Sequence, residues 1–191
     1  MWDTKYHEAR MLSVLLMNPK ETAEAEAESL LCDVASWDLC DHLCRNLFLK
    51  MKGRDAFITN WIQGPQLYKK RAAFVLIAGS VIHDKKLPDE TVDGYLQLIM
   101  QYSDDEREHV KKAASSALKE IGKKNFHYNE EALMLAHEWM ERGSKAQRWI
   151  GKDVVKELET MVKAEGRRRL ISANTRMGKE TMEEQSTGGS G

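Results

Sequence analysis

The chain has 191 residues, 42% of them hydrophobic, enough to enclose a sizeable core in one large domain or two small ones. Lys and Arg number 29 against 30 Asp and Glu, so the net charge of −1 excludes a uniformly basic nucleic-acid coat and a polybasic membrane anchor; a charged partner must meet a local patch. Three cysteines (Cys32, Cys40, Cys44) are too few and odd in number for a disulfide framework, and no apolar run spans a bilayer, so reduced thiols, a cytoplasmic location and no membrane association are expected.

Apolar residues recur at spacings of three and four, β-branched runs are few, and there are three prolines, which together predict an all-α protein. The helices are expected, in chain order, over 4–17, 21–34, 37–51, 55–62, 66–82, 89–102, 105–121, 129–141 and 145–163. Asn18, Ser36 and Asp104 are the expected caps, Pro65 and Pro88 suit first turns, and Gly122 and Gly143 suit helix ends. Periodicity is lost from Arg176, so a domain over 1–170 followed by a disordered tail over 171–191 is expected.

Short connections make consecutive helices antiparallel, and a long-short alternation is expected from Trp37 onward. Lys70-Arg71-Ala72-Ala73 is echoed by Lys111-Lys112-Ala113-Ala114, an offset of 41 residues (111 minus 70). Small Ala113, Ala114 and Ala117 share a face with Val110, Leu118 and Ile121, where a neighbouring helix can approach closely. HEAT-like repeats use helices of this kind, stacked as an α-α superhelical solenoid whose concave face binds partners; an irregular helical bundle is the alternative.

Charge alternates along the chain: residues 1–41 carry 3 basic and 9 acidic groups, 42–86 carry 9 and 2, 87–110 carry 1 and 7, and 111–124 carry 5 and 1. The basic blocks place Arg45, Lys50, Lys52, Arg54, Lys69, Lys70, Arg71, Lys111, Lys112, Lys119, Lys123 and Lys124 on or beside the long helices, a possible phosphate-binding stripe on a concave basic face. Equally, they could be solvated faces paired with nearby acids.

Trp37 and Asp41 lie one helical turn apart, beside the apolar stripe of Cys40, Leu43, Cys44 and Leu47. An aromatic surface next to a carboxylate can pack on a sugar and stabilise positive charge developing on it, as cleavage of an N-glycosidic bond requires; a half-buried Trp beside a paired acid is the plainer alternative. Arg71, at the edge of the very apolar helix that follows Pro65, needs an anionic partner, either Asp41 or a phosphate. Trp61 and Tyr68 are both expected as wedges between helices, with Tyr68 the one nearer the surface. No Gly-rich phosphate loop or nucleophile elbow is present, and the spacing of Cys40, His42 and Cys44 makes only a weak case for zinc.

These residues carry a family likeness. The segment Trp37-Asp38-Leu39-Cys40-Asp41, the Lys70-Arg71-Ala72-Ala73 helix, and D-D-E-R-E-H-V-K-K-A over 104–113 with its I-G-K-K-N continuation resemble the AlkD-like DNA alkylation-repair glycosylases over residues 2–158. The resemblance implies a HEAT-like fold and hydrolysis of the N-glycosidic bond of N3- or N7-alkylated purines in duplex DNA by a monomer, without metal or cofactor and without base flipping. By resemblance Asp41 is the catalytic carboxylate, Trp37 packs against deoxyribose and Arg71 holds a phosphate. Tyr68, Lys70, Arg45, Lys111, Lys112, Ser116 and Lys119 are the further expected DNA contacts. Two positions depart from the family: Ser116 stands where a second DNA-contacting tryptophan is usual, and Lys119 where arginine is usual, so a DNA-binding member that does not cleave, or a protein-interaction scaffold, is the alternative. The chain also begins at what corresponds to an interior helix of the family.

Overall fold

The computed structural model describes residues 1–4 and 6–187; Lys5, within the first expected helix, and 188–191, within the expected tail, lie outside the described residues. Ten helices are present among the described residues: α1 (His7–Leu16), α2 (Glu24–Cys32), α3 (Trp37–Asn46), α4 (Arg54–Gln63), α5 (Leu67–His83), α6 (Asp89–Tyr102), α7 (Glu108–Gly122), α8 (Phe126–Arg142), α9 (Lys145–Leu158) and α10 (Arg176–Thr187). Two-residue strands β1 (Met161–Val162) and β2 (Ile171–Ser172) form an antiparallel hairpin with Met161 opposite Ser172 and Val162 opposite Ile171. None of the described helices is long and apolar enough to cross a membrane.

The chain divides into two compact units, Met1–Ala114 and Ser115–Gly191. In the first unit α5 is the central element and packs against α2, α3, α4 and α6. Its residues Ala72 to Ile77 are apolar on every side because neighbours cover it all round, and Ala72, Ala73, Phe74, Leu76 and Ile77 are fully buried. Leu43 and Leu47 from the α3 region and Ile58 and Ile62 from α4 complete this core, each contributing about 1.5–3 kcal/mol by burial.

The expected helix over 37–51 stops at Asn46, and Phe48–Lys50 forms a short 3₁₀ turn. The break lets Phe48 meet two α4 rings, edge-on to Trp61 at 5.3 Å and to Phe57 at 6.0 Å, while Phe57 and Trp61 stack at 4.5 Å. Trp61 is therefore a wedge, as expected.

The 41-residue echo is structural. Ala72 and Ala73 in α5 and Ala113 and Ala114 in α7 are all buried, and a second step of the same offset reaches Lys152-Asp153-Val154-Val155 in α9, where Val154 is buried. The expected long-short alternation is not present: α5 to α9 all have 14 to 17 residues.

In the second unit α8 and α9 pack as an antiparallel pair. Asn125 caps α8 by accepting from the Tyr128 amide at 3.0 Å, which starts that helix three residues before the expected position, and Ser144 and Gln147 form a reciprocal capping box on α9. A Cβ on Gly151 would sit 2.5 Å from the Ala136 carbonyl oxygen, so only glycine permits this approach of α9 to α8.

Residues 171–187, within the expected tail, include β2 and α10. Leu170 is buried and its amide donates to the Lys123 carbonyl at 2.8 Å, the Ala173 amide donates to the Thr160 carbonyl at 2.7 Å, and α10 buries Gly178 and Thr181. A two-residue strand pair is too short to show alternation, and α10 is too polar to show a clear apolar stripe, which is why neither is visible in the sequence.

Candidate nucleic-acid interface

Trp37 is the first residue of α3 and Asp41 lies one turn later, so both project from one face of the helix. Trp37 is 51% exposed, whereas Asp41 and Arg71 are 6% and 7% exposed. Arg71 reaches across from α5 and grips the carboxylate with two donors: Nε donates to Oδ1 at 2.8 Å and Nη2 to Oδ2 at 2.9 Å. Its Nη1 donates to the His109 carbonyl at 2.6 Å, at the start of α7. The guanidinium carbon lies 5.6 Å from the centre of the Trp37 ring.

Of the two anions the sequence allows, Asp41 is the one bound to Arg71 in this structure. A guanidinium matched to a carboxylate through two parallel bonds, with a third donor on a carbonyl, is locked in orientation. Arg45, one turn beyond Asp41 on α3, places Nη2 3.7 Å from Oδ2 with its side chain 66% exposed. Trp37, Asp41, Arg45 and Arg71 thus form one cluster: an exposed ring, a recessed carboxylate, a solvated cation and a bound cation.

Beneath the cluster, the Cys40 thiol donates to the Tyr68 carbonyl at 3.5 Å and the Cys44 thiol to the Ala72 carbonyl at 3.8 Å, tying α3 to α5. Burial holds the Cys44 thiol well above its usual range, so it stays protonated and packs as a small apolar group. His42 contacts the Met11 carbonyl through Nε2 at 2.9 Å. Among the described residues no group of three or more His, Cys, Asp or Glu is placed to hold a metal ion.

The other expected contacts are held differently. The Tyr68 hydroxyl donates to the Ala35 carbonyl at 3.0 Å. Lys70 forms an ion pair with Asp105 at 3.3 Å and lies 5.7 Å from the Tyr102 ring centre. Lys112 pairs with Glu108 at 2.6 Å, one turn earlier on the exposed face of α7. Ser116 is exposed on α7, and Lys111 is partly buried.

Lys119 sits between two carboxylates of α9, Asp153 at 2.9 Å and Glu157 at 3.0 Å, and Asp153 also accepts from the Ser115 hydroxyl at 2.6 Å. Lys123 also pairs with Glu157, at 2.5 Å. Much of the basic stripe is therefore neutralised by acids from neighbouring turns and helices.

One cluster was not anticipated. Arg107 binds Asp105 through Nε at 2.9 Å and Nη2 at 2.6 Å and donates from Nη1 to the Pro65 carbonyl at 2.7 Å. These bonds, led by the Arg107 side chain, hold the Asp105 carboxyl down at about 2. The D-x-R spacing over 105–107 was the available signal. Folding of Asp105 onto Arg107 also explains why α7 begins at Glu108, several residues after the expected cap at Asp104.

Repeated helices with alanines buried at equivalent positions, and an exposed tryptophan over an Arg-held carboxylate, define a helical-repeat protein with an aromatic and ionic surface site. The chain matches the family described as DNA alkylation repair enzyme over residues 1–153 and belongs to that family. It is also similar to a solved structure described as "a new family of proteins related to the HEAT-like repeat DNA glycosylases with affinity for branched DNA structures". The TM-score is 0.64 at 14% identity, with 98% of this chain and 72% of that chain covered, so the fold is the HEAT-like repeat fold. A comparison with curated proteins finds no match.

Proposed function

We propose that this DNA-repair family member hydrolyses the N-glycosidic bond of N3- or N7-alkylated purines in duplex DNA, using Asp41 with Trp37 and Arg71. The observation that carries the proposal is the placement of the Arg71-bound Asp41 carboxylate beside the half-exposed Trp37 ring. Alkylation makes the purine cationic, so it leaves with the electron pair of the bond to C1′ and needs no protonation. A carboxylate near the sugar then stabilises the oxocarbenium-like centre, and water adds to C1′ while releasing a proton.

Arg71 has a defined part in this chemistry. While both carboxylate oxygens are bound to the guanidinium, the field of Asp41 is largely cancelled at a distance. A DNA phosphate beside Arg71 offsets the charge of the guanidinium without breaking the pair, and so restores that field where the sugar carries charge. The chain's own residues supply positioning and electrostatics, which suffice for a leaving group already activated by its charge.

A second function, binding of DNA without cleavage, is favoured by two observations: Ser116 is exposed where the family resemblance expects an aromatic wall, and Lys119 is enclosed by Asp153 and Glu157. The solved relative is itself described by its affinity for branched DNA. Incubation with methylated duplex separates the two: release of 7-methylguanine or 3-methyladenine supports the glycosylase, whereas salt-dependent binding with no freed base supports the non-cleaving alternative.

A further inference from the structure

Three lysines of the first unit stand apart from the paired ones. Lys69, Lys70 and Lys112 are each bound to a carboxylate, whereas Lys20, Lys50 and Lys52 are exposed and line a cleft of about 550 Å³ whose lining includes one acid, Glu24. The lining side chains thus sum to +2 (three lysines less one glutamate). Like charges gathered round a concavity repel one another, and an anion placed among them relieves that repulsion.

Lys50 also lines a second cavity, of about 480 Å³, with Arg45, Arg54 and His83 on its walls. The cavity floor includes Gly79 of α5, where a Cβ would collide with the Leu49 side chain. Arg54 is directed to Asp55 and Asp84, while Arg45 is the solvated cation 3.7 Å from Asp41. Arg45 and Lys50 thus line one cavity, together with the acid Asp84 that Arg54 meets, and Lys50 is shared with the cleft of Lys20 and Lys52, so a connected series of cations leads from Asp41 over Arg45 and Lys50 into the cleft.

We propose that Lys20, Lys50 and Lys52 form a second phosphodiester-binding cleft, which holds DNA backbone beyond the segment met by Trp37 and Asp41. The proposal rests on the DNA-binding function above. DNA is the occupant that a connected path favours, because a polyanion engaged at Arg45 presents further phosphates to Lys50 without a second encounter. A free phosphate compound would have no need of the link through Arg45.

The test is the salt dependence of binding of unmodified duplex to the wild type and to K20Q/K50Q/K52Q, beside K152Q/K156Q/K179Q, which changes the net charge equally in the other unit. The slope of log affinity against log salt is expected to fall by about 2–3 in the first variant, at roughly 0.9 per lost phosphate contact, and to change far less in the second. A duplex too short to reach from Asp41 to the cleft should show no difference between the first variant and the wild type. Equal slopes for wild type and K20Q/K50Q/K52Q on long duplex would overturn the cleft while leaving the Trp37–Asp41 site intact. Pyrophosphate binding that is lost in K20Q/K50Q/K52Q while the DNA slope is unchanged would overturn the assignment to DNA backbone. No binding of DNA by the wild type would overturn both this cleft and the function on which it rests.

Discussion

Arg71 meets both oxygens of Asp41, at 2.8 and 2.9 Å, although the two residues lie 30 positions apart and on different helices. Both are more than nine-tenths buried, so the pair ties α3 to α5 and also fixes the orientation of the carboxylate. Removing one partner strands a charge in a poorly solvated place. Arg71→Ala is therefore expected to lower stability by about 3–5 kcal/mol, and the double change Asp41→Leu with Arg71→Met to recover most of it. Urea unfolding of the two variants checks this; a loss below about 1 kcal/mol in Arg71→Ala would show that water reaches the carboxylate freely.

Trp37 presents the opposite case. Its ring is half-exposed and its principal neighbour is the guanidinium, so Trp37→Ala should change stability by no more than about 0.5 kcal/mol. Loss of a stacking surface for sugar or base should nonetheless weaken DNA binding by about tenfold. Thermal melting and titration of duplex at fixed salt measure the two effects separately, and unchanged affinity would remove Trp37 from the interface.

Ser116 invites a gain of function. It is exposed on α7, so Ser116→Trp introduces a ring without disturbing packed neighbours. If this position faces DNA as the family resemblance implies, the variant should bind duplex about tenfold more tightly and release alkylated bases faster. Binding and base release identical to the wild type would place Ser116 outside the interface.

Asp105 gives a pH prediction. Its carboxyl is held at about 2 by Arg107, against about 3.9 in an unfolded chain. A carboxylate depressed by folding contributes its full stabilisation above the unfolded value and loses it as pH falls through the folded value. The contribution is thus present at pH 5 and declines between about pH 4 and pH 2. Arg107→Ala should flatten that part of the stability profile, as measured by urea midpoints across the range; a profile of unchanged slope would contradict the assignment to this pair.

The helical architecture was legible because it depends on local pattern. Asp89–Tyr102 coincides with the expected helix, since Pro88 and the apolar stripe of Val92, Tyr95, Leu96 and Ile99 mark its beginning and its buried face. The alanine pairs of α5 and α7 showed the repeat for a similar reason: small residues recur where helices approach closely. The partners of charged groups were less visible. Arg71 had two possible anions until α3 was placed beside α5, and the acids that enclose Lys119 lie 34 and 38 residues later, on α9. Sequence spacing identifies neighbours on one helix and is silent on which helix faces it.

The central claim is that the carboxylate of Asp41 supplies the catalytic field for glycosidic hydrolysis. Freed 7-methylguanine and 3-methyladenine, measured over time from methylated duplex with wild type and Asp41→Asn at protein concentrations that saturate the DNA, test it most directly. The account predicts steady release by the wild type and a loss of at least about a hundredfold in Asp41→Asn, with DNA still bound. Release by Asp41→Asn at the wild-type rate, or none by either protein while both bind the duplex, would contradict it.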